Sequence, residues 1–371
     1  ADANKVQVCA CAANNVLGKA QQGSGLALAA VMNCPIMLNE VLRQSDQAAQ
    51  CGSVVLAAGK KATDMESADE IMQAYFTRLK YYVRIAAVSW NIAQQVLLER
   101  RADPCSSFLN DETLERGIDL LQLHKEGDTW PAVTPFGGIN VANSLAAIQH
   151  LVFDKKKYTL EELIQALDAN WCGYDVMRQE FINAPKYGND DDFADDWAVR
   201  FLTGMNETVE SVTDAWGSSM AMDGSTASGY TMFGLTAGAT PDGRQMCASL
   251  ADGSLSPMTA TDCEGPTAVL NSVAKVPFLH TELFNQRFMP VFLEDEKKEI
   301  FAAYLKTWYA KGTIPHIQFN VVSSEQLRAA QAEPAEHPDL IVRVAGYSAH
   351  FVDLPCYSQD SIIARTEQKL G

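Results

Sequence analysis

Apolar positions along the chain fall into two periodicities. Over residues 67–101, Ile71, Tyr75, Leu79, Tyr82, Val83, Ala86 and Trp90 recur at three- and four-residue spacing, which predicts one long amphipathic helix. Small and apolar residues predict a buried helix over 26–42, and Ala142, Leu145, Ala146 and Leu151 predict another over 140–153. Pro104 and the stretch 131–138 read as breakers between them. Thr159 followed by Glu162 forms a capping box for a helix running toward Trp171. Helical patterns return over 296–311, 324–331 and 358–368. Between them the β-rich run Ile317-Gln318-Phe319-Asn320-Val321-Val322 predicts a buried strand, and 340–344 a second. Segments 220–257 and 283–290, with only short apolar runs, read as loops. Strands alternating with helices predict an α/β architecture with parallel strands.

Composition narrows the function classes. The chain has 371 residues, 47% of them apolar and 20% charged, which excludes a disordered protein. Its net charge of −17 argues against a nucleic-acid or anionic-membrane partner. The longest nearly uncharged stretch, 21–40, is interrupted by Asn33, Cys34 and Pro35 and reads as buried, not membrane-spanning. Residues 1–10 lack the pattern of a secretory signal. Nine scattered cysteines fit reduced thiols in a cytoplasm. Cys9 and Cys11, the one close pair, have no second pair or nearby histidine, so no metal site is expected. Five aspartates within 188–196 read as a solvated helix cap in preference to a cation site.

Gly346 follows a predicted strand, where glycine ordinarily supplies a tight turn. The wider run changes that reading. Leu340-Ile341-Val342-Arg343-Val344-Ala345-Gly346-Tyr347-Ser348-Ala349-His350-Phe351, followed by Gln359-Asp360-Ser361-Ile362-Ile363-Ala364-Arg365-Thr366-Glu367, resembles the C-terminal signature of glycyl radical enzymes. The resemblance implies a backbone radical stored on Gly346. A radical on Cα delocalises over the flanking amide groups and needs a planar carbon that a side chain would crowd. It also implies a thiol relay. Cys11 fits best, with Ala10 before it and Gly18-Lys19 seven and eight positions after, and Cys9 is the alternative. Similar blocks occur at 142–148, 181–191, 240–244, 256–257 and 265–270, so the likeness runs through nearly the whole chain. The implied fold is the second half of a ten-stranded α/β barrel surrounded by helices, with the Cys and Gly loops meeting inside. Residues 1–265 would form the half-barrel and 266–371 the glycyl radical domain. The radical would be installed by a separate S-adenosylmethionine activase bearing an iron–sulfur cluster, with no cofactor bound in this chain.

Asn170-Trp171, 183–191 and 316–365 look most like the large subunits of benzylsuccinate and alkylsuccinate synthases, which add a hydrocarbon radical to fumarate. Three positions depart from relevant family patterns. Leu26 stands where the fumarate-adding enzymes carry an arginine suited to a carboxylate, and Ser225 where they carry a glutamine. Ala13 stands where the dehydratases and several decarboxylases carry a glutamate base, two residues after the cysteine. Ala13, Leu26 and Ser225 would line the pocket for a small-molecule substrate. The expected activity is a C–C bond-forming lyase of the succinate synthase type. The alternatives are a glycyl radical decarboxylase or other C–C lyase acting on a different acid, and a non-catalytic half that binds a partner. Family members are roughly twice as long, so the expected partners are an N-terminal half or polypeptide completing the barrel, the activase, and small accessory subunits in an oligomer.

Overall fold

The computed structural model describes residues 6–9, 13–16, 26–43, 60–126, 130–277, 281–294, 297–314, 316–365 and 367–368. Near its start, β1 (Val6–Cys9) and β2 (Ala13–Val16) pair antiparallel, with Cys9 opposite Ala13. Four parallel strands follow in chain order across one sheet: β3 (Leu26–Asn33), β4 (Trp130–Phe136), β5 (Ala221–Gly224) and β6 (Thr281–Glu282). Beyond it, β7 (Asn285–Phe288) pairs in parallel with β8 (Gln318–Val321). A short hairpin, β9 (Ile341–Arg343) and β10 (Ser348–His350), comes next, and β11 (Glu367–Gln368) returns to pair in parallel with β7. Helices surround this parallel core, as the α/β expectation requires.

The long helix is Ala68–Arg100, started by Ser67, whose side chain accepts from the Glu70 amide. Its buried face carries Ile71, Tyr75, Leu79, Val83, Ala86 and Trp90, as the spacing predicted. The helix Gly138–Ile148 is buried at all eleven positions: most are apolar, and its buried amides find partners inside, Asn140 donating to Asp242 at 2.8 Å and Asn143 accepting from the Tyr187 amide at 2.9 Å. It packs against the helices Cys34–Arg43 and Asp192–Glu210 and continues into a π turn, Gln149–Asp154. The Thr159 capping box is present, with Thr159 Oγ1 accepting from the Glu162 amide at 3.1 Å and Glu162 Oε2 accepting from the Thr159 amide at 2.8 Å.

Several expectations needed correction. Residues 26–42 are not one helix but β3 followed by Cys34–Arg43, with the change at Pro35, which fits the first turn of a helix and not its interior. The 131–138 breaker is largely strand β4. Pro131 and Pro135 lie four apart, so both missing amide hydrogens face the same side of the strand and the amides between them remain free to pair. The 220–257 loop contains β5 and the helix Gly229–Thr236, and 283–290 contains β7. Glycine hides these elements: a Cβ on Gly224 would lie 1.9 Å from the Thr281 carbonyl oxygen, so β5 reaches β6 only without a side chain there. The acidic segment does cap a helix, since Asp191 accepts from the Phe193 and Ala194 amides. It is not wholly solvated, however. Asp195 is completely buried, and Lys275 Nζ joins Asp190, Asp192 and Asp195 at 2.7–2.9 Å.

Apolar packing divides unequally. One large cluster runs from Met32 to Ile317 and fills the space between the sheet and the helices. A separate small cluster, Val322, Leu327, Ala330, Val342, Val344, Phe351, Ile362 and Ile363, belongs to the C-terminal part alone.

Candidate active site

Gly346 lies in the turn between β9 and β10, with the Val344 amide donating to the Tyr347 carbonyl at 2.9 Å. It is buried and adopts φ +78°, a left-handed conformation that other residues enter only at a cost. Both amide flanks of its Cα are held by side chains. The Gly346 N–H donates to Gln318 Oε1 at 2.8 Å, and the Gly346 carbonyl accepts from Arg343 Nη2 at 3.3 Å. Arg343 Nε also donates to Gln318 Oε1, at 3.1 Å. One strand over, Asn320 clamps the Arg343 backbone by accepting from its N–H at 2.7 Å and donating to its carbonyl at 2.6 Å.

Arg365 fastens the same loop from the other side. It is 6% exposed and pairs with Asp252, itself 8% exposed, at 2.5 Å. Its remaining donors reach the Arg343 carbonyl at 3.0 Å, the Val344 carbonyl, and the Tyr230 hydroxyl at 3.1 Å. Burial works against its charge, but Asp252 and Tyr230 outweigh burial and push the guanidinium pKa up. Behind it, a cavity of ≈ 30 Å³ bordered by Asp252, Ser256, Asn285 and Arg287 has room for about one water, not a substrate. Ala345 packs with Phe136, Tyr230, Ala237, Leu250 and Leu283, which seats the Gly346 loop on the segment that follows β5.

Ser225 occupies the start of that segment, half-buried at the C-terminal end of β5. Its amide donates to Asp223 Oδ1 at 2.9 Å, and the same carboxylate accepts from Thr281 and, at 3.3 Å, from Thr134. Asp223 therefore ties β4, β5 and β6 together at the end of the sheet where open parallel sheets bind ligands. Cys11 lies outside the described residues, so its expected meeting with Gly346 does too. For Cys9, Ala13 and Leu26 only the strand placements in β1, β2 and β3 are described.

Sequence reasoning missed Gln318, Asn320, Tyr230 and Asp252. A signal existed for two of them: Gln318 and Asn320 alternate with apolar residues in a strand where both are buried, and buried amides need partners. Tyr230 and Asp252 fell within the stretch read as loop.

Comparison with known proteins accords with this arrangement. Residues 1–234 match the family described as pyruvate formate lyase-like, and residues 251–352 match the glycine radical domain. The chain is 34% identical to trans-4-hydroxy-L-proline dehydratase of Clostridioides difficile over 92% of its own length and 43% of that protein. It is 35% identical to isethionate sulfite-lyase of Bilophila wadsworthia, over 82% of this chain and 37% of that protein. Its fold superposes on the glycerol-bound B12-independent glycerol dehydratase from Clostridium butyricum with a TM-score of 0.88 and 30% identity, covering 100% of this chain and 46% of that one. The chain thus spans less than half the length of the relatives it matches. The narrower likeness to the succinate synthases finds no support among these relatives, which are dehydratases and a sulfite-lyase. The chain belongs to the pyruvate formate lyase-like family of glycyl radical enzymes.

Proposed function

We propose that this chain carries the radical-storing and hydrogen-abstracting residues of a glycyl radical lyase that cleaves a bond in a small organic substrate. Gly346 stores the radical, and a separate S-adenosylmethionine activase installs it. Cys11 relays it, with Cys9 the alternative. The thiyl sulfur takes a hydrogen atom from substrate, the substrate radical loses its leaving group, and the product radical recovers the hydrogen from the thiol. The names of the dehydratase and sulfite-lyase relatives support bond cleavage over fumarate addition. Leu26 and Ser225 agree, since neither supplies a cationic clamp for a dicarboxylate. Ala13 leaves no carboxylate two residues after Cys11, so any proton transfer must use a different group.

The observation that carries the reading is the buried, left-handed Gly346 with both its N–H and its carbonyl held by side chains. Anaerobic activation of the full-length protein tests it. A glycyl doublet in electron paramagnetic resonance is expected, absent in Gly346→Ala, and exposure to air should cut the chain at Gly346. A protein activated under the same conditions that shows neither doublet nor cleavage refutes the reading. Substrate-hydrogen exchange with solvent should vanish in Cys11→Ala and persist in Cys9→Ala.

A further inference from the structure

We propose that Gln318 is the positioning residue that fixes the orientation of the Gly346 peptide. This rests on the reading of Gly346 as the radical site. Gln318 is 5% exposed, on β8, and its Oε1 accepts from two donors at once: the Gly346 N–H at 2.8 Å and Arg343 Nε at 3.1 Å. Both partners are donors only, so the amide must turn its oxygen toward them. Its NH₂ group then faces His316 Nε2 at 3.0 Å, which can accept only as an unprotonated ring nitrogen. Burial pushes the His316 pKa down, the neighbouring Glu282 main chain opposes this, and Arg343 adds to it, so the neutral ring is favoured. A flipped amide would set NH₂ against two N–H donors, an arrangement with no hydrogen bond at all.

The consequence for chemistry is specific. Delocalisation of an unpaired electron from the Gly346 Cα spreads it over the flanking amide groups, so the groups that hold its N–H and C=O set the peptide planes from which the residue, now at φ +78°, must turn toward coplanarity. Gln318 holds the first group directly. It shares Arg343 with the second, because Arg343 Nη2 donates to the Gly346 carbonyl at 3.3 Å while its Nε is bound to Gln318. A single buried amide therefore connects the two flanks. Arg343 cannot drift independently, because Asn320 grips its backbone from the same strand, two residues along from Gln318.

Two variants separate this role from general support of the hairpin. Gln318→Leu keeps the volume and removes the acceptor; Gln318→Glu keeps the acceptor. Amide hydrogen exchange is read residue by residue on the full-length, unactivated protein, with the Arg343 amide, bonded to Asn320, as internal reference. In Gln318→Leu the Gly346 amide should exchange at least about fivefold faster, the factor expected for one net hydrogen bond, while Arg343 is unchanged. In Gln318→Glu both amides should keep wild-type rates. After anaerobic activation, the glycyl doublet should decay at least about fivefold faster in Gln318→Leu than in wild type and be restored in Gln318→Glu. Unchanged exchange at Gly346 in Gln318→Leu overturns the proposal, as does acceleration that merely follows Arg343, since that reports a loosened hairpin. A wild-type protein with a protected Gly346 amide but no doublet would remove the radical reading and leave the hydrogen-bond role standing.

Discussion

Replacing Arg365 with methionine should be among the most damaging single changes in the C-terminal part of the molecule. Methionine fills much of the volume but leaves Asp252, 8% exposed, without its cation, and strips donors from the Arg343 and Val344 carbonyls and the Tyr230 hydroxyl. Breaking one side of a buried pair costs about 3–5 kcal/mol, much of it the penalty of the stranded charge. That origin makes the effect separable. Asp252→Asn should relieve the penalty, so the Arg365→Met/Asp252→Asn double variant should lose less stability than the two single losses added, by about 1–3 kcal/mol. Lysine should not substitute well for Arg365, because one ammonium cannot reach four acceptors spread around a planar fork. Urea unfolding of the four proteins at neutral pH measures the cycle. Single effects that sum to the double within about 0.5 kcal/mol would show that the two side chains do not interact, and the account of the Gly346 loop's anchorage would fail.

Two further outcomes follow from geometry. Gly224→Ala should cost about 3 kcal/mol or more, because the new methyl would sit 1.9 Å from the Thr281 carbonyl and 2.8 Å from Ser254 Oγ, forcing β5 from β6; wild-type urea stability would contradict this. Lys186 is 6% exposed and donates to the Phe181 and Ala184 carbonyls, and burial, partly opposed by Asp242, pulls its pKa from 10.5 to about 8. Between those values the unfolded chain binds a proton that the folded chain has released, so stability should rise with pH across that window, by up to about 3 kcal/mol. Lys186→Met should lose this rise in urea unfolding from pH 8 to pH 10; an unaltered slope would assign it to other groups.

Helices were legible in the sequence wherever a solvent-facing side alternated with a buried one. The 67–101 pattern gave Ala68–Arg100 almost to the residue, and the Thr159–Glu162 pair marked its helix start correctly. Parallel strands were harder to read. In β3 and β4 side chains meet neighbours on both faces or lie at an edge, so no polar alternation distinguishes Leu26–Asn33 from a buried helix. In β5 the close strand approach selects glycine, whose local signal is a loop. For the candidate site, Gly346 was found through its flanking signature, which also contains Arg343 and Arg365, whereas their partners Gln318 and Asn320 on β8, Tyr230 on the 229–236 helix and Asp252 in a loop lie far away in the chain. Their meeting depends on long-range folding, and spacing along the chain carries no trace of it.

The helix Gly138–Ile148 has no side turned toward water. A residue change on an outer helix can be absorbed by solvent, but here every side chain borders another part of the protein, and a larger or charged one would press on β-sheet and helices together. Substitutions at these eleven positions should therefore be tolerated only at near-equal volume and without added charge, which makes this central rod the part of the fold least able to absorb change.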